Sequence, residues 1–308
     1  MHQMPRSLMK KFISIAVMSI LALTVALPLQ AAGTVEQIAK NGKIRIGYRT
    51  DAAPFSARKG MDASGYSIEL CKQIVKVIKA QPGLEKVAVE YVPLGSMVQF
   101  AAVEEGRVDL LCGASTITLK RREQVAFSSP IFITGISALL RKDAPEELHT
   151  LLISAEPDFQ PNWRATMKDV LHQWVFVTRT GSTAEAWVEA ELENYKILAK
   201  LKPADSYEHG IQQVVDGEAD VMMADRPILL VAAVTNEAAA ELMVLPRYFT
   251  IEPIALAMHR DDDEFRLLVD QALNGMVRSG EFIDIYVRFF GPLDNAAVSL
   301  FSLYGMMN

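Results

Sequence analysis

The order of apolar and polar residues after residue 32 predicts strands and helices in alternation. KIRIGYR (43–49) alternates as a strand does, and GYSIELCKQIVKVIKA (65–80) repeats its apolar residues at helical spacing. VAVEYV (87–92) predicts a second strand, a helix over 97–105 ends at a glycine, and VDLLC (108–112) predicts a buried strand. Strands that alternate with helices predict βαβ units and a mostly parallel sheet.

The same order of elements recurs after residue 173. WVFVTRT (174–180) predicts a strand, STAEAWVEAELEN (182–194) a helix and KILAK (196–200) a strand. A helix that ends at Asp216 and a glycine then precedes the strand ADVMMAD (219–225). The chain therefore predicts a second α/β half.

Two helix-to-strand junctions share one residue order. EEGRVDLLCG (104–113) and VDGEADVMMAD (215–225) both read acid, Gly, any residue, apolar, Asp and an apolar run. This order predicts that one βα design is built twice, with Asp225 at the position that Gly113 has in its twin. Because glycine ends many helices, coincidence is the alternative.

Two further apolar segments, 134–142 and 249–260, predict strands that cross between the halves and form a hinge. The segment 261–291 predicts two helices around Ser279 and Gly280, the first with an acidic first turn. Residues 143–173 contain three prolines and little periodicity, which predicts a surface insertion with a short helix.

The first 32 residues have the pattern of a secretory signal. Three cations, Arg6, Lys10 and Lys11, precede the apolar stretch 12–27, and small residues follow. The apolar part is shorter than the ~20 residues of a membrane-spanning helix. We therefore expect a signal peptide over residues 1–31, with an uncleaved anchor as the alternative. No cysteine is available for a lipid anchor, so the expected location is the Gram-negative periplasm.

Composition and charge exclude some partners. With 50% hydrophobic residues in 308, the chain can bury a core and is long enough for about two lobes. Its net charge of −6 includes the three signal-peptide cations, so residues 32–308 carry −9. An acidic chain of this kind is a poor partner for nucleic acid or an anionic membrane.

The chain has two cysteines, Cys71 and Cys112. An oxidising compartment lets them form a disulfide if the fold brings them together. Cys71 lies on the apolar face of a predicted helix and Cys112 ends an apolar strand, so two buried thiols are the alternative.

The sequence lacks the common catalytic and metal-binding motifs. Its five histidines are scattered without HExxH or a His–Cys cluster. GxSxG, a Walker loop and GxGxxG do not occur. We therefore expect no catalytic residue, no metal and no cofactor, and a binding protein rather than an enzyme.

The residues after the first buried strand form a candidate ligand loop. In open α/β sheets, ligands bind outside the carboxyl ends of the strands. Gly113 and Ala114 permit close backbone approach, Ser115 and Thr116 offer hydroxyls, and Arg121 supplies a planar fork for a carboxylate. The alternative is that the hydroxyls cap the next helix and Arg121 is solvated.

A second loop, RTGSTAEA (179–186), strengthens this interpretation. Ser182 and Glu185 have the spacing of a capping box, which places free amides and a positive dipole end at a helix start. Asp225 ends its strand as an acid that can hold an ammonium group. Two anion-binding loops, one guanidinium and one acid together describe a receptor for a free α-amino acid.

Several segments resemble, in family order, the periplasmic amino-acid-binding proteins of ABC importers, solute-binding protein family 3. They run from about Thr34 to Gly291 and are IRIGYRTDAAPFS, GYSIELCKQI, EEGRVDLLCGASTITLKRREQVAFSSP, TRTGST and DGEADVMMAD. The resemblance implies a two-lobed type II periplasmic binding protein fold. Each lobe is a mixed, mostly parallel sheet flanked by helices, and two hinge strands join them. Lobe 1 takes residues 32–133 and 250–308, and lobe 2 takes 134–249.

The resemblance also implies roles for the site residues and for a partner. It assigns the ligand's α-carboxylate to Arg121, Thr116, Ser182 and Thr183. It assigns the α-ammonium to Asp225 and the Gly113 carbonyl. The protein is expected to be a monomer that closes around its ligand and docks on the membrane permease of an ABC transporter.

The expected ligand is glutamate or aspartate. Family members that bind cationic amino acids carry an acid where this chain has Arg49, and Arg179 is a further donor or a surface residue. Arg49, Arg121 and Arg179 against Asp225 leave +2, which a dicarboxylic amino acid of charge −1 reduces. The glutamate/aspartate members carry a further basic residue on the helix before EEG, where this chain reads Met97-Val98-Gln99-Phe100. Gln99 can hydrogen-bond an amide as well as a carboxylate, so glutamine, asparagine or a broad range stays open.

Two rival functions remain. Periplasmic dehydratases of the cyclohexadienyl type resemble these binders and need an acid or base in the cleft, for which Asp51 and Asp225 are candidates. An acid beside arginines tends to stay ionised, which disfavours this role. The sensor half of a signalling receptor would need a second membrane segment.

Overall fold

The computed structural model describes residues 33–60, 62–153, 174–194, 196 and 198–305. The predicted signal peptide and residues 154–173 of the predicted insertion lie outside these ranges. From Thr34 onward the described residues form one compact unit. No helix in these ranges has the length and apolar composition needed to cross a bilayer.

The elements follow the alternation that the sequence predicts. The strands are β1 Lys43–Arg49, β2 Asp51–Ala52, β3 Ser56–Lys59, β4 Asp62–Ser64, β5 Ala88–Leu94, β6 Leu110–Thr116, β7 Ala126–Phe127, β8 Phe132–Thr134, β9 Ile136–Arg141, β10 Val175–Arg179, β11 Lys200–Ala204, β12 Val221–Asp225, β13 Leu242–Val244 and β14 Glu252–Met258.

The helices are α1 Thr34–Asn41, α2 Tyr66–Lys79, α3 Gln99–Glu104, α4 Leu119–Arg122, α5 Glu146–Ile153, α6 Thr183–Asn194, α7 Tyr207–Val215, α8 Arg226–Thr235, α9 Asp263–Ser279, α10 Glu281–Phe290 and α11 Asn295–Gly305. The predicted helical face of α2 is buried, including Ile68, Ile74 and Ile78. Helix α5 is the described part of the predicted insertion.

Two sheets have the same arrangement. Sheet I has the order β5-β1-β6-β14-β7, with β8 also paired to β14, and sheet II has the order β11-β10-β12-β9-β13. In each sheet the first three strands are parallel and the fourth is antiparallel. A small third sheet joins β2, β3 and β4. The predicted α/β class with mostly parallel sheets is confirmed.

The predicted repeat is confirmed by a hydrogen bond that occurs at the equivalent position in both sheets. In sheet I, Asp109 Oδ2 accepts the backbone N–H of Arg45 at 2.7 Å, and in sheet II, Asp220 Oδ2 accepts that of Val175 at 2.7 Å. Each aspartate thereby satisfies the first free donor of the neighbouring parallel strand. Because Asp109 and Asp220 are equivalent, the twin of Asp225 is Ala114, and the predicted pairing with Gly113 was wrong by one residue.

One predicted strand is displaced. KILAK (196–200) was predicted as the strand, whereas the observed β11 begins at Lys200 and continues to Ala204. Lys196 has a φ of 52°, in the left-handed region that a strand does not use. Parallel pairing of Val175 with Lys200 fixes the later start.

The two predicted crossing segments touch each other. β8 pairs with β14 in sheet I, and β9 begins in sheet II directly after Gly135. A Cβ at Gly135 would lie 1.9 Å from the carbonyl oxygen of Thr250, so this approach requires glycine. Ile136 N–H donates to Thr250 Oγ1 at 2.9 Å. The two connections between the sheets therefore run side by side.

A disulfide joins Cys71 of α2 to Cys112 of β6, which decides between the two alternatives left by the sequence. One residue further along β6, the Gly113 carbonyl accepts a hydrogen bond from Ser67 Oγ at 2.9 Å. Helix α2 therefore holds the middle of β6 at two adjacent points. The second half of this strand contains the residues Gly113 to Thr116 that were predicted to form the ligand loop.

We predict that replacing both cysteines by alanine lowers the free energy of unfolding by about 4 kcal/mol, because the bridge closes a loop between residues 41 apart in sequence. Urea denaturation of both proteins measures this difference. As a control, reductant should destabilise the native protein by a similar amount and leave the alanine variant unchanged. Equal stability of the two oxidised proteins would contradict the prediction.

Candidate functional site

Three charged residues and a threonine lie at the carboxyl ends of the central strands of the two sheets. Arg49 ends β1 and Thr116 ends β6 in sheet I, whereas Arg179 ends β10 and Asp225 ends β12 in sheet II. These residues are 4%, 4%, 3% and 8% exposed in that order. Parallel strands deliver these ends to one edge of each sheet, as predicted.

Arg121 is held beside the end of β6. Thr118 begins α4 and its hydroxyl accepts the backbone N–H of Arg121 at 3.1 Å, so a threonine does cap this helix. The guanidinium donates from Nη1 to the Thr116 carbonyl at 2.9 Å and lies over the Phe100 ring at 4.8 Å. Burial lowers the pKa of Arg121, whereas Asp225 and Glu252 raise it. Within the described part of the chain it has no ion-pair partner.

Asp225 is a buried acid with an unused acceptor. Its Oδ1 has no hydrogen-bond partner among the described residues. Burial, and next the charge of Glu252, raise its pKa from 3.8 to about 7, against the opposing effects of Arg121 and Arg179. Arg121 and Asp225 thus act on each other across the space between the two sheets.

The loop before α6 satisfies much of its own polarity. Ser182 Oγ accepts the N–H of Glu185 at 3.1 Å, as a capping box predicts, but Glu185 reaches back to the N–H of Gly181 at 2.7 Å. Ser182 N–H donates to the Arg179 carbonyl at 3.1 Å. Fewer amides are therefore free for an anion than the sequence predicted.

Glu252 is a site residue that the sequence analysis missed. It is 7% exposed at the start of β14, directly after the second crossing. Its Oε2 accepts hydrogen bonds from Thr116 Oγ1 at 2.9 Å and Thr183 Oγ1 at 2.7 Å, and its Oε1 accepts from Thr250 Oγ1 at 3.1 Å. One carboxylate thus takes the hydroxyls that were predicted for the ligand.

Two arginines meet on one aromatic ring. Tyr207, the first residue of α7, lies 5.8 Å from the Arg49 guanidinium and 5.0 Å from that of Arg179. Arg49 also pairs with Asp51 through a 2.9 Å bond from Nε. The Nε of Arg179 has no hydrogen-bond partner among the described residues. Tyr207 was not predicted, because its position at a helix start is common for a core aromatic.

The remaining predicted residues are less distinctive. A Cβ at Gly113 would meet Ser56 Oγ at 3.6 Å, an ordinary contact, so the protein itself does not require glycine there. Ala114 is half-buried, and Ser115 is buried with an Oγ that has no partner among the described residues.

The predicted charge excess of +2 was wrong. Glu252 and Asp51 add two acids to the site, so three guanidiniums face three carboxylates. Glu252 was not counted because nothing local in the sequence distinguishes it, and Asp51 was considered only as a catalytic acid. The total charge of the site therefore does not favour an anionic ligand. Only the positions of the individual charges bear on the choice of ligand.

The sequence matches a known protein family along most of its length. The family model of bacterial extracellular solute-binding proteins, family 3, matches residues 44–292. The glutamate/aspartate import solute-binding protein of Escherichia coli (strain K12) is 24% identical over 261 residues, which cover 84% of this chain and 80% of that protein. The ABC transporter glutamine-binding protein of Bacillus subtilis (strain 168) is 23% identical over 295 residues, 91% of this chain and 97% of that protein.

A solved structure is also similar along most of the chain. An ancestral amino acid-binding protein, a precursor of cyclohexadienyl dehydratase, superposes with a TM-score of 0.67 at 25% identity. It covers 84% of this chain and 100% of its own length. The predicted two-lobed α/β fold is confirmed by this likeness.

We predict that Asp225→Asn stabilises the ligand-free protein at pH 8. A carboxyl whose folded-state pKa is raised from 3.8 to about 7 loses stability progressively as pH rises between those values, up to about 4 kcal/mol. The gain should be several degrees in melting temperature at pH 8 and clearly smaller at pH 5. Thermal unfolding at both pH values measures it.

The exposed Asp216→Asn is the matched control and should change the melting temperature little at either pH. A gain for Asp225→Asn that is absent at pH 8, or equal at both pH values, would contradict the assignment of Asp225 as a buried, strained acid.

Proposed function

Because the chain belongs to the bacterial extracellular solute-binding proteins of family 3, we propose that it captures a free α-amino acid between its two sheets for an ABC importer. The observation that carries this proposal is a set of charged groups, two buried and one half-buried, that lack partners among the described residues. Asp225 Oδ1 and Arg179 Nε have none among the described residues, and Arg121 forms no ion pair there. An unpaired buried charge is costly, and a zwitterion supplies both missing partners.

The ligand's two ends are assigned by charge. Arg121 binds the α-carboxylate in bidentate fashion, with the backbone of Thr116 and the start of α6 at Ser182 and Thr183 beside it. Asp225 binds the α-ammonium. Gly113, Ala114 and Ser115 of β6 contribute their remaining carbonyl and hydroxyl acceptors.

Glutamate or aspartate is the proposed ligand. Arg49 and Arg179 converge on Tyr207, and together they suit an acidic side chain. The name of the Escherichia coli relative supports this choice. Glutamine is the second candidate, since the balanced charges and buried Gln99 suit an amide and the Bacillus subtilis relative is named for it.

Transport follows from a two-state closure. Lobe 1 is residues 32–133 and 250–308, and lobe 2 is residues 134–249, with the paired crossings at Gly135 and Thr250 as the hinge. A ligand that contacts both lobes binds the closed form better and shifts the population toward it. The monomeric protein then docks on its membrane permease in the periplasm, which it reaches through a cleaved signal peptide.

A dehydratase is the alternative that the structural comparison favours, since the ancestral neighbour is a precursor of cyclohexadienyl dehydratase. Asp225, with its pKa raised to about 7, is the residue suited to act as general acid. Incubation with prephenate separates the two functions. Product formation would support the enzyme, whereas unchanged prephenate together with amino-acid binding supports the receptor.

Arg121→Ala is predicted to weaken every amino-acid ligand by 30-fold or more, since losing one partner of a buried charge pair costs about 2–5 kcal/mol. Titration calorimetry on a panel of the twenty amino acids measures the loss. The neighbouring Arg122 is exposed, and Arg122→Ala should bind within about twofold of the native protein. Equal affinity of both variants would contradict the role of Arg121.

Arg49→Ala is predicted to weaken glutamate and aspartate at least tenfold more than glutamine, because only the acidic side chains use its charge. The same calorimetric panel provides the comparison. A uniform loss across acidic and neutral ligands would show that Arg49 supports the site through Asp51 and Tyr207 rather than by contact with the ligand.

A further inference from the structure

Glu252 is the one buried carboxylate of the described site that holds hydrogen bonds from both sheets. Thr116 belongs to β6 of sheet I, and Thr183 begins α6 beside sheet II. Both hydroxyls donate to the same Oε2, and Thr250 of the crossing donates to Oε1. Three donors fix the carboxylate in one orientation.

The Glu252 carboxylate keeps one unused hydrogen-bond acceptor position among the described residues. A carboxylate accepts about four hydrogen bonds, and Glu252 receives three among the described residues. The remaining position lies on Oε1. Asp225 has an unused Oδ1, and the charge of Glu252 raises the pKa of Asp225. Two unused carboxylate acceptors therefore share one small region.

Two close carboxylates in a buried region repel each other unless a cation lies between them. Arg121 and Arg179 are in electrostatic range of Asp225, but neither forms an ion pair with it. An ammonium has three N–H donors on one atom and fits such a pair better than a planar guanidinium. We propose that Glu252 is a ligand-binding residue that holds the α-ammonium together with Asp225.

This proposal rests on the proposed function and deepens it. The hydroxyls of Thr116 and Thr183 are then not partners of the ligand's α-carboxylate, because they orient Glu252 instead. Recognition of the amino group by two acids makes the site selective for amino acids over the corresponding acids without an amino group. The rejected class includes glutarate, which matches glutamate except for the ammonium.

The test compares Glu252→Gln with the native protein, using the tightest amino acid of the panel and its counterpart without the amino group. L-glutamate is paired with glutarate, and L-glutamine with glutaramate. We expect the variant to lose tenfold or more in affinity for the amino acid. Binding of the counterpart should be unchanged or tighter, because one negative charge near it has gone. The exposed Glu264→Gln is the matched control and should change neither.

Each outcome of this test supports or overturns either the inference or the proposed function. If the native protein binds no amino acid, the proposed function itself fails. If it binds one and Glu252→Gln weakens both ligands equally, Glu252 only connects the two sheets and the inference is overturned. Tighter binding of both would make Glu252 an internal competitor, which also overturns it. Where the counterpart is undetectable in both proteins, an amino-acid loss under threefold overturns the inference and one over tenfold supports it.

Glu252→Asp is the second variant if the glutamine variant does not fold. It keeps the negative charge but shortens the side chain by one methylene group. We expect a smaller amino-acid loss than for the glutamine variant, again without loss for the counterpart. Losses that are the same for both ligands would overturn the inference in this variant too.

Discussion

Charge buried where the two sheets meet is the constraint on which the rest of this site depends. A carboxylate or guanidinium removed from water needs a partner, and each one left without it destabilises the fold. Glu252 finds three hydroxyls, and Arg49 finds Asp51 and the face of Tyr207. Asp225 keeps an unpaired oxygen, and burial raises its pKa. The buried, unpaired Asp225 carboxylate therefore destabilises the ligand-free protein. A cationic group beside it relieves this cost, and this is the physical basis of the proposed binding.

The duplicated architecture explains how such charges come to face each other. In both sheets an aspartate after a glycine-ended helix fixes the neighbouring parallel strand, as Asp109 and Asp220 show. The same device therefore brings two strand ends into equivalent positions. The residue five places later differs in charge, being Ala114 in one half and Asp225 in the other. The repeat places the two strand ends in equivalent positions. The difference between Ala114 and Asp225 gives these ends different charges, which the proposed binding of a zwitterion requires.

Local periodicity was enough to predict most of the fold and part of the site. The buried face of α2, the glycine-ended helices and the cap at Ser182 depend on residues within one or two turns, so the sequence displays them directly. Arg121 and Asp225 were found because each follows a buried strand. The strand predicted at KILAK is displaced because Lys196 is in a left-handed conformation, and the observed strand begins only at Lys200.

Long-range contacts set the limit of that prediction. Glu252 lies 136 residues from Thr116 and 69 from Thr183, and its own neighbourhood is an ordinary apolar strand. Tyr207 and the Cys71–Cys112 bridge likewise depend on which elements pack together, which residue order does not display. The predicted charge excess failed for this reason, since a charge balance is only as complete as its list of neighbours.

A crystal structure of the protein with a bound amino acid tests the central claim most directly. The account predicts one ligand whose α-carboxylate lies within about 3.2 Å of the Arg121 guanidinium and whose ammonium lies within about 3.2 Å of Asp225. A ligand bound elsewhere, or one in this site that touches neither residue, would contradict it.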